Sequence, residues 1–178
     1  MDPERAPEEG ARPPGYDIRE LSLLDWEKIR DVRSRALADS PDAMWPYGPE
    51  REWTEREWAP LFDGARWLVA ESAGEIVAVL RSAPDRESPR SRRLESIWVD
   101  PAHRRRRVFT SMLRTIVEME AARGVEHLWL WVIDNNDVAR KAYEQLGFEQ
   151  TGDPKPLPPD KGGHELRMSL AIARPLST

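Results

Sequence analysis

The chain has 178 residues, of which 39% are hydrophobic and 33% are charged, and its formal net charge is −5. This length suits one domain with a proper core, and no apolar run approaches the roughly 20 residues that a membrane-spanning helix requires. The absence of cysteine excludes thiol catalysis and cysteine metal sites, and the negative net charge argues against bulk affinity for nucleic acid.

The chain starts with a segment rich in Pro, Glu and Ala, residues 1–14, in which apolar residues show no period. This composition predicts a disordered tail, followed by a single domain over residues 15–178. The segment also lacks the basic start and apolar centre of a secretory signal, so we expect a cytoplasmic protein. Three histidines, His103, His127 and His164, are widely separated in sequence, and we therefore predict no metal site.

The first half of the domain predicts a strand, two helices and a hairpin. Residues 16–21 alternate as a strand, and the helix that follows has apolar residues at Trp26, Ile29, Val32 and Leu37. The other elements predicted here are a helix over residues 51–62, a strand over 65–71, a turn at Ala73 and Gly74, and a strand over 75–80 that closes the hairpin.

The second half predicts a strand, helix and strand unit. A polar loop over residues 81–91 precedes a strand over 93–99, and the next helix has apolar residues at i, i+3, i+4, i+7 and i+8 before Gly124. The strand over 127–133 is apolar without alternation, as expected for burial on both faces, so the unit predicts a right-handed parallel crossover. The final elements are a helix that begins at Asn136 or Asp134 and ends at Gly147, and two strands, over 148–152 and 164–172, that can pair.

Residues 94–120 carry the strongest functional signal, because a strand, a basic loop and an amphipathic helix follow one another. This layout places backbone N–H groups of a helix N-terminus beside several arginines, which suits a phosphate. A basic run such as 103–107 is by itself more typical of a solvated turn, but its position before the helix favours phosphate binding. A nucleic-acid surface would need aromatic residues or a second basic stripe, and neither is evident.

Three motifs in this half occur in a distinctive order. Val99 and Pro101 end a strand and Arg104 follows them as V-x-P-x-x-R, the next helix reads N-x-x-A-x-x-x-Y, and Leu-Gly-Phe closes it. These motifs resemble the GNAT superfamily of acetyl-CoA-dependent N-acetyltransferases, over roughly residues 16–172. The resemblance implies the α/β GNAT-like acyl-CoA N-acyltransferase fold, which has a mixed, mostly antiparallel sheet, helices on both faces and a splayed parallel strand pair.

The resemblance also implies that acetyl-CoA is the co-substrate and that its diphosphate binds the basic loop. The family's loop reads R/Q-x-x-G-x-G/A, whereas Arg107 and Phe109 occupy the two small positions here and Arg105 replaces another frequent glycine. Side chains at these positions can narrow the cradle, while guanidinium groups can pair with phosphates directly. The residues expected to bind the coenzyme are Ile97, Trp98, Val99, Arg104, Arg105, Arg106, Arg107, Val108, Phe109, Thr110, Asn136 and Ala139.

Several of these residues also have a purely structural interpretation. Trp98 is expected to contribute its main chain to the coenzyme site, while its side chain suits the core or its rim. Asn136 suits a helix N-cap, and the resemblance adds a hydrogen bond to the pantetheine arm.

Two residues are expected to carry the chemistry. The resemblance implies that Tyr143 protonates the departing CoA thiolate, although a Tyr at this spacing is also typical of packing. An alkyl ammonium has a pKa near 10, so the amine must lose a proton before it attacks. Glu95 is the expected acceptor, because partial burial in its apolar strand can raise the pKa of a carboxyl. The alternative is an ion pair between Glu95 and Arg92 or Arg93.

The predicted reaction moves an acetyl group from acetyl-CoA to a primary amine of a small molecule, or of a protein with less support, by direct attack in a ternary complex. We expect a monomer or homodimer with no nucleic-acid or membrane partner. Two alternatives stay open: a catalytically silent acyl-CoA-binding or regulatory domain with a drifted phosphate loop, and an RNA-associated module. The aromatic residues that could enclose the amine are Trp45, Tyr47, Trp53 and Trp58.

Overall fold

The computed structural model describes residues 15–39 and 49–172. The predicted tail and the predicted acceptor residues Trp45 and Tyr47 lie outside these ranges. Within the described ranges, no helix is both long and apolar enough to cross a membrane. The elements are β1 (Asp17–Leu21), α1 (Trp26–Asp39), α2 (Glu55–Phe62), β2 (Arg66–Ser72), β3 (Glu75–Pro84), β4 (Ser91–Val99), α3 (Val108–Ala121), β5 (His127–Ile133), α4 (Asp137–Gln145), β6 (Glu149–Gln150), β7 (Lys155–Pro156) and β8 (His164–Ala171).

The strands form one mixed sheet in the order β1-β2-β3-β4-β5-β8-β6, and β7 also pairs with β8. The neighbours β4 and β5 are parallel, whereas the other pairs are antiparallel. Only Ser91–Arg93 of β4 pairs with β5, at His127–Trp129. Beyond Arg93 the two strands no longer pair within the described part of the chain, which is the splayed parallel pair that the sequence predicts.

The alternation of side chains along the central strands produces a core on each face of the sheet. On one face, Leu68 of β2 packs in a cluster with Met112 and Ile116 of α3. On the other face, Trp67 of β2 packs in a second cluster with Ile29 of α1 and with α2. Helices therefore cover both faces, which confirms the predicted fold class. The α3 cluster also packs against Ala139 and Tyr143 of α4 and against Leu146, the residue that follows α4.

The second predicted helix is shorter than its sequence pattern indicates. It begins at Glu55 rather than at residue 51. The Thr54 backbone N–H and hydroxyl both donate to the Glu57 carboxylate, at 2.7 and 2.8 Å, and this capping arrangement defines the start of the helix.

The predicted loop over residues 81–91 is wrong at both ends, because β3 continues to Pro84 and β4 already begins at Ser91. In this extension Arg81 lies opposite Glu95 and Ser82 lies opposite Leu94. Polar residues occupy buried strand positions here because ion pairs and hydrogen bonds with distant residues satisfy them.

Candidate active site

The strand β4 is irregular close to the point where it leaves β5. Arg81 lies opposite Glu95 but Val79 lies opposite Trp98, so two steps along β3 correspond to three steps along β4. The extra residue is a β-bulge, and Ser96 within it has a φ of 53°, in the left-handed region. A bulge re-aims the backbone of the residues that follow. The backbone of Ile97 and Val99 therefore lies at the opening between β4 and β5, where the sequence predicts the thioester.

The loop before α3 has a glycine-like backbone although it contains no glycine. Arg105 and Arg107 have φ values of 60° and 59°, and Arg107 is the residue immediately before α3. The first amide of α3 to bond back along the chain is that of Ser111, which donates to the Arg107 carbonyl at 3.1 Å. The preceding amides of the helix have no partner within it. All four arginines of the loop, 104–107, are exposed, so amides that have no partner within the helix lie together with basic side chains.

The side chain of Arg104 is bonded to the protein itself. Its Nε donates to the Val99 carbonyl at 2.9 Å, and its Nη2 forms an ion pair with Asp39 at the end of α1. The same Asp39 carboxylate oxygen accepts a hydrogen bond from Trp98 Nε1 at 2.9 Å. Arg104 thus links the end of β4 to α1. Within residues 15–39 and 49–172, no side-chain hydrogen bond or ion pair engages Arg105, Arg106 or Arg107, so their guanidinium groups are the ones that could meet a ligand.

Tyr143 lies on α4 between two other aromatic rings. Its ring centroid is 5.8 Å from that of Phe109 and 5.7 Å from that of Phe148. Burial raises the pKa of Tyr143 to about 12, so the phenol keeps its proton throughout the neutral range. Among the residues that the structure describes, none accepts a hydrogen bond from the Tyr143 hydroxyl. The packing interpretation of Tyr143 therefore accounts for its ring, and the hydroxyl is left available as a donor.

Asn136 forms the N-cap of α4, as its structural interpretation predicts. Its side-chain oxygen accepts a hydrogen bond from the Ala139 amide at 3.1 Å. This bond fixes the start of α4, and with it the helical position of Tyr143 two turns later.

Glu95 lies on the face of the sheet that carries α1 and α2, and its side chain is 17% exposed. It pairs with Arg81, and its Oε2 lies 2.7 Å from Arg93 Nη2. The ion pair with Arg93 is the alternative that the sequence leaves open. Arg92 instead lies 3.3 Å from Glu120. Glu95 is thus a partly buried carboxylate that already has two guanidinium partners.

A second carboxyl group, which the sequence analysis missed, lies across the opening on the same face. Arg93 lies opposite Trp129, and Trp129 lies opposite Ser169, so the three side chains share one face of the sheet. Glu165 precedes Ser169 by four residues in β8, so its side chain lies on that face as well. Burial raises the pKa of Glu165, against a smaller opposing effect of Lys155. No cation forms an ion pair with Glu165 within residues 15–39 and 49–172. The alternation of polar and apolar residues in β8 was the signal that could have identified it.

Two of the predicted acceptor-site aromatics can be placed. Trp58 is fully buried in the α1 and α2 cluster, so it is a core residue. Trp53 is half-buried, and its ring meets that of Trp58 at a centroid distance of 5.7 Å. Of these two residues, only Trp53 retains surface that a ligand could reach.

Comparison with known proteins places the chain in a family. The model of the acetyltransferase (GNAT) family matches residues 24–148. The chain belongs to the GNAT family of acetyltransferases. A mycothiol acetyltransferase from Brachybacterium faecium is 30% identical over 156 residues, which make up 80% of this chain and 46% of that protein. This GNAT chain thus spans less than half the length of the curated relatives that it matches.

Solved structures share the fold of this GNAT chain. The ribosomal-protein-S18-alanine N-acetyltransferase from Escherichia coli has a TM-score of 0.68 and 23% identity, and the match covers 89% of this chain and 94% of that one. A putative acetyltransferase from Salmonella typhimurium, solved with its cofactor acetyl-CoA, has a TM-score of 0.71 and 15% identity, with coverage of 92% and 97%. At these identities the likeness concerns the fold alone.

Proposed function

We propose that this chain transfers an acetyl group from acetyl-CoA to the primary amine of a small molecule, by direct attack in a ternary complex. The observation that carries the proposal is the opening between β4 and β5 beyond Arg93, with the Ser96 bulge on one side and the N-terminus of α3 at its end. A protein amine is the less supported acceptor. The family membership and a relative solved with acetyl-CoA support this choice of donor.

The residues around the opening fit the coenzyme at the level of the backbone. The amides of Val108, Phe109 and Thr110 would hold the diphosphate at the N-terminus of α3, and the left-handed backbone at Arg105 and Arg107 supplies the sharp turns that glycine usually provides. Exposed guanidinium groups of the loop add charge. The Phe109 side chain is the feature that fits least, because it occupies space that a small residue would leave open.

The pantetheine arm would lie along the part of β4 that has no strand partner on the β5 side. Backbone groups of Ile97, Trp98 and Val99 would bind it there, with Asn136 and Ala139 at the start of α4 on the opposite side. A backbone N–H beside the thioester carbonyl would stabilise the negative charge that develops on its oxygen.

Tyr143 would act on the leaving thiolate mainly as a hydrogen-bond donor. Its pKa of about 12 exceeds that of an ordinary thiol, near 8.5, by roughly 3.5. Complete proton transfer from the phenol to a free thiolate is therefore uphill, whereas a hydrogen bond that strengthens as charge develops on sulfur is favourable.

The amine needs a proton acceptor on the other side of the thioester. Glu95 is the residue that the sequence predicts, and it would act directly or through a water molecule. Its two guanidinium partners occupy the carboxylate oxygens that would have to accept the proton. Glu165 is therefore a second candidate on that face of the sheet. Separate Glu95→Gln and Glu165→Gln variants distinguish the two, because only loss of the true acceptor flattens the rise of rate with pH.

A thiol-release assay over a panel of small primary amines tests the proposal. We expect acetyl-CoA consumption that depends on the amine and yields the N-acetyl product by mass spectrometry. The alternative function is a silent acyl-CoA-binding domain, which the arginine and phenylalanine at the small-residue positions favour. That alternative predicts coenzyme binding without any acetylated product, even when the panel is extended to peptides with free N-termini and lysines.

A further inference from the structure

We propose that Arg33 and Glu50 are positioning residues for acetyl transfer, because together they hold the Ser96 bulge in the strand that would receive the thioester. This inference rests on the proposed function for its chemical consequence. Its structural content, a buried ion pair that fixes the backbone of β4, can be tested without activity.

The ion pair lies in the interior, between α1 and the turn before α2. Arg33 is 6% exposed and Glu50 is 5% exposed. Arg33 Nε donates to Glu50 Oε2 at 3.0 Å, and Nη2 donates to Oε1 and Oε2 at 3.0 and 2.8 Å. Two donors on one edge of the guanidinium thus engage both carboxylate oxygens, which fixes the plane of the fork.

The third nitrogen of the same guanidinium reaches the bulge. Arg33 Nη1 donates to the Ser96 hydroxyl. The guanidinium carbon also lies 6.0 Å from the ring centroid of Trp58 and 5.8 Å from that of Trp67. The two aromatic rings and the Glu50 carboxylate therefore fix the orientation of the guanidinium group that donates to Ser96. A non-glycine residue at a φ of 53° is strained and persists where surrounding contacts hold it.

The position of this contact in the strand gives it a function. Ser96 immediately precedes Ile97, and Trp98 immediately follows it. Ser96 is bonded to Arg33 and through it to Glu50, while Trp98 is bonded to Asp39, the last residue of α1. The residue on each side of Ile97 is thus bonded to a different part of the α1 and α2 face. This double attachment sets the direction of the Ile97 backbone groups.

Buried ion pairs contribute more to a defined geometry than to net stability in several systems. Reacting groups that are misplaced by about 1 Å can lose roughly a hundredfold in rate. Loss of the Ser96 contact should therefore lower turnover more than it lowers coenzyme affinity, since the phosphate loop lies at the other end of the site.

The test compares Ser96→Ala and Glu50→Gln with a matched control, Ser82→Ala. Ser82 is fully buried in β3, and its hydroxyl donates to buried Glu120 at 2.7 Å on the opposite face of the sheet. In both test variants we expect kcat at saturating acetyl-CoA to fall by roughly tenfold or more, because the reacting groups are misplaced. We expect the Kd for CoA to stay within about twofold. We expect Ser82→Ala to lower the melting temperature and to leave kcat near that of the unmodified chain.

Hydrogen exchange of the peptide over residues 94–99 provides a readout that needs no turnover. We expect faster exchange at Trp98, which pairs with Val79 of β3 directly beyond the bulge, in Ser96→Ala and Glu50→Gln than in Ser82→Ala. Unchanged exchange and kcat in the test variants, or an equal loss in the control, would overturn the inference. If the unmodified chain acetylates no amine, the proposed function fails, and the exchange comparison still decides whether the pair holds the bulge.

Discussion

The ring of Phe109 meets the ring of Tyr143 edge to face, with centroids 5.8 Å apart and planes at 71°. Phe109 is the second residue of α3, at a position where the family motif leads us to expect a small residue, and Tyr143 is the proposed hydrogen-bond donor to the leaving thiolate. One contact therefore connects the segment that is proposed to bind phosphate with the proposed donor. The large side chain at position 109 therefore packs on Tyr143. Its presence is more than the loss of a small residue from the loop motif.

Phe109→Ala tests that packing function. We expect a lower melting temperature, a CoA affinity that is unchanged or higher, and a lower kcat, because Tyr143 loses an edge-to-face contact worth about 1 kcal/mol. Thermal melting, calorimetry and the thiol-release assay measure the three quantities. A large rise in turnover would instead show that the aromatic ring obstructs a site that has lost its original loop, as the silent-domain alternative proposes.

Tyr143→Phe removes the hydroxyl and leaves the aromatic packing in place. We expect kcat to fall by about 10² to 10⁴, with the Kd for CoA nearly unchanged. Tyr16→Phe is the matched control, because the Tyr16 hydroxyl hydrogen-bonds His103 Nδ1 at 2.9 Å and not the proposed reaction site. Full activity of Tyr143→Phe would remove this residue from the mechanism.

The pKa of Tyr143 also predicts part of the pH dependence. Because that pKa is about 12, the phenol stays protonated as the pH rises from 7 to 10. We therefore expect that loss of the Tyr143 proton causes no decline of kcat in the unmodified chain over this range. Rate profiles of the unmodified chain and of Tyr143→Phe over this range provide the measurement. An alkaline decline that disappears in the variant would contradict the assigned protonation state.

Glu165→Gln should change how stability depends on pH. The pKa of Glu165 is raised in the folded chain by burial, so the folded state holds this proton more tightly than the unfolded state does. The resulting stabilisation is present at low pH and is lost as the pH rises through the folded-state pKa. Gln cannot ionise, so the variant should gain melting temperature relative to the unmodified chain at pH 7 but not at pH 4. An equal difference at both pH values would contradict the raised pKa.

Arg107→Gly removes the strain of a non-glycine residue in the left-handed region of φ, and it also removes a guanidinium group. We expect the free energy of unfolding to rise by up to about 1 kcal/mol, as chemical denaturation measures it. CoA affinity should fall a few-fold, because an exposed ion pair contributes up to about 1 kcal/mol. Arg106→Ala is the comparison, since Arg106 is not among the positive-φ residues, and we expect it to weaken CoA binding without a gain in stability. A gain in CoA affinity for Arg107→Gly would show that its side chain obstructs the diphosphate.

Local sequence patterns predicted the elements of the fold that depend on periodicity. The spacing of apolar residues identifies α3, and the continuous apolar run at residues 127–133 identifies β5. The extension of β3 to Pro84 could not be predicted in this way, because the buried Arg81 is satisfied by the Leu61 carbonyl and by Glu95, which lie 20 and 14 residues away in sequence. Local composition contains no information about such a pairing.

The candidate site shows the same division. Motif order indicated the loop before α3 and Tyr143, and their binding and catalytic roles stay predictions. The bond between Arg104 and Asp39 joins residues 65 positions apart, and the contact of Arg33 with Ser96 joins residues 63 positions apart. Both depend on how α1 packs on the sheet. Sequence therefore indicates which segments are candidates for the site, whereas the tertiary packing decides which of their side chains remain available to ligands.

Calorimetric titration of the full chain with CoA tests most directly whether the glycine-free loop before α3 binds the coenzyme diphosphate. We expect saturable binding at one site per chain, with measurable heat and a raised melting temperature at saturation. A titration that gives no heat, together with a melting temperature that CoA does not shift, would contradict it.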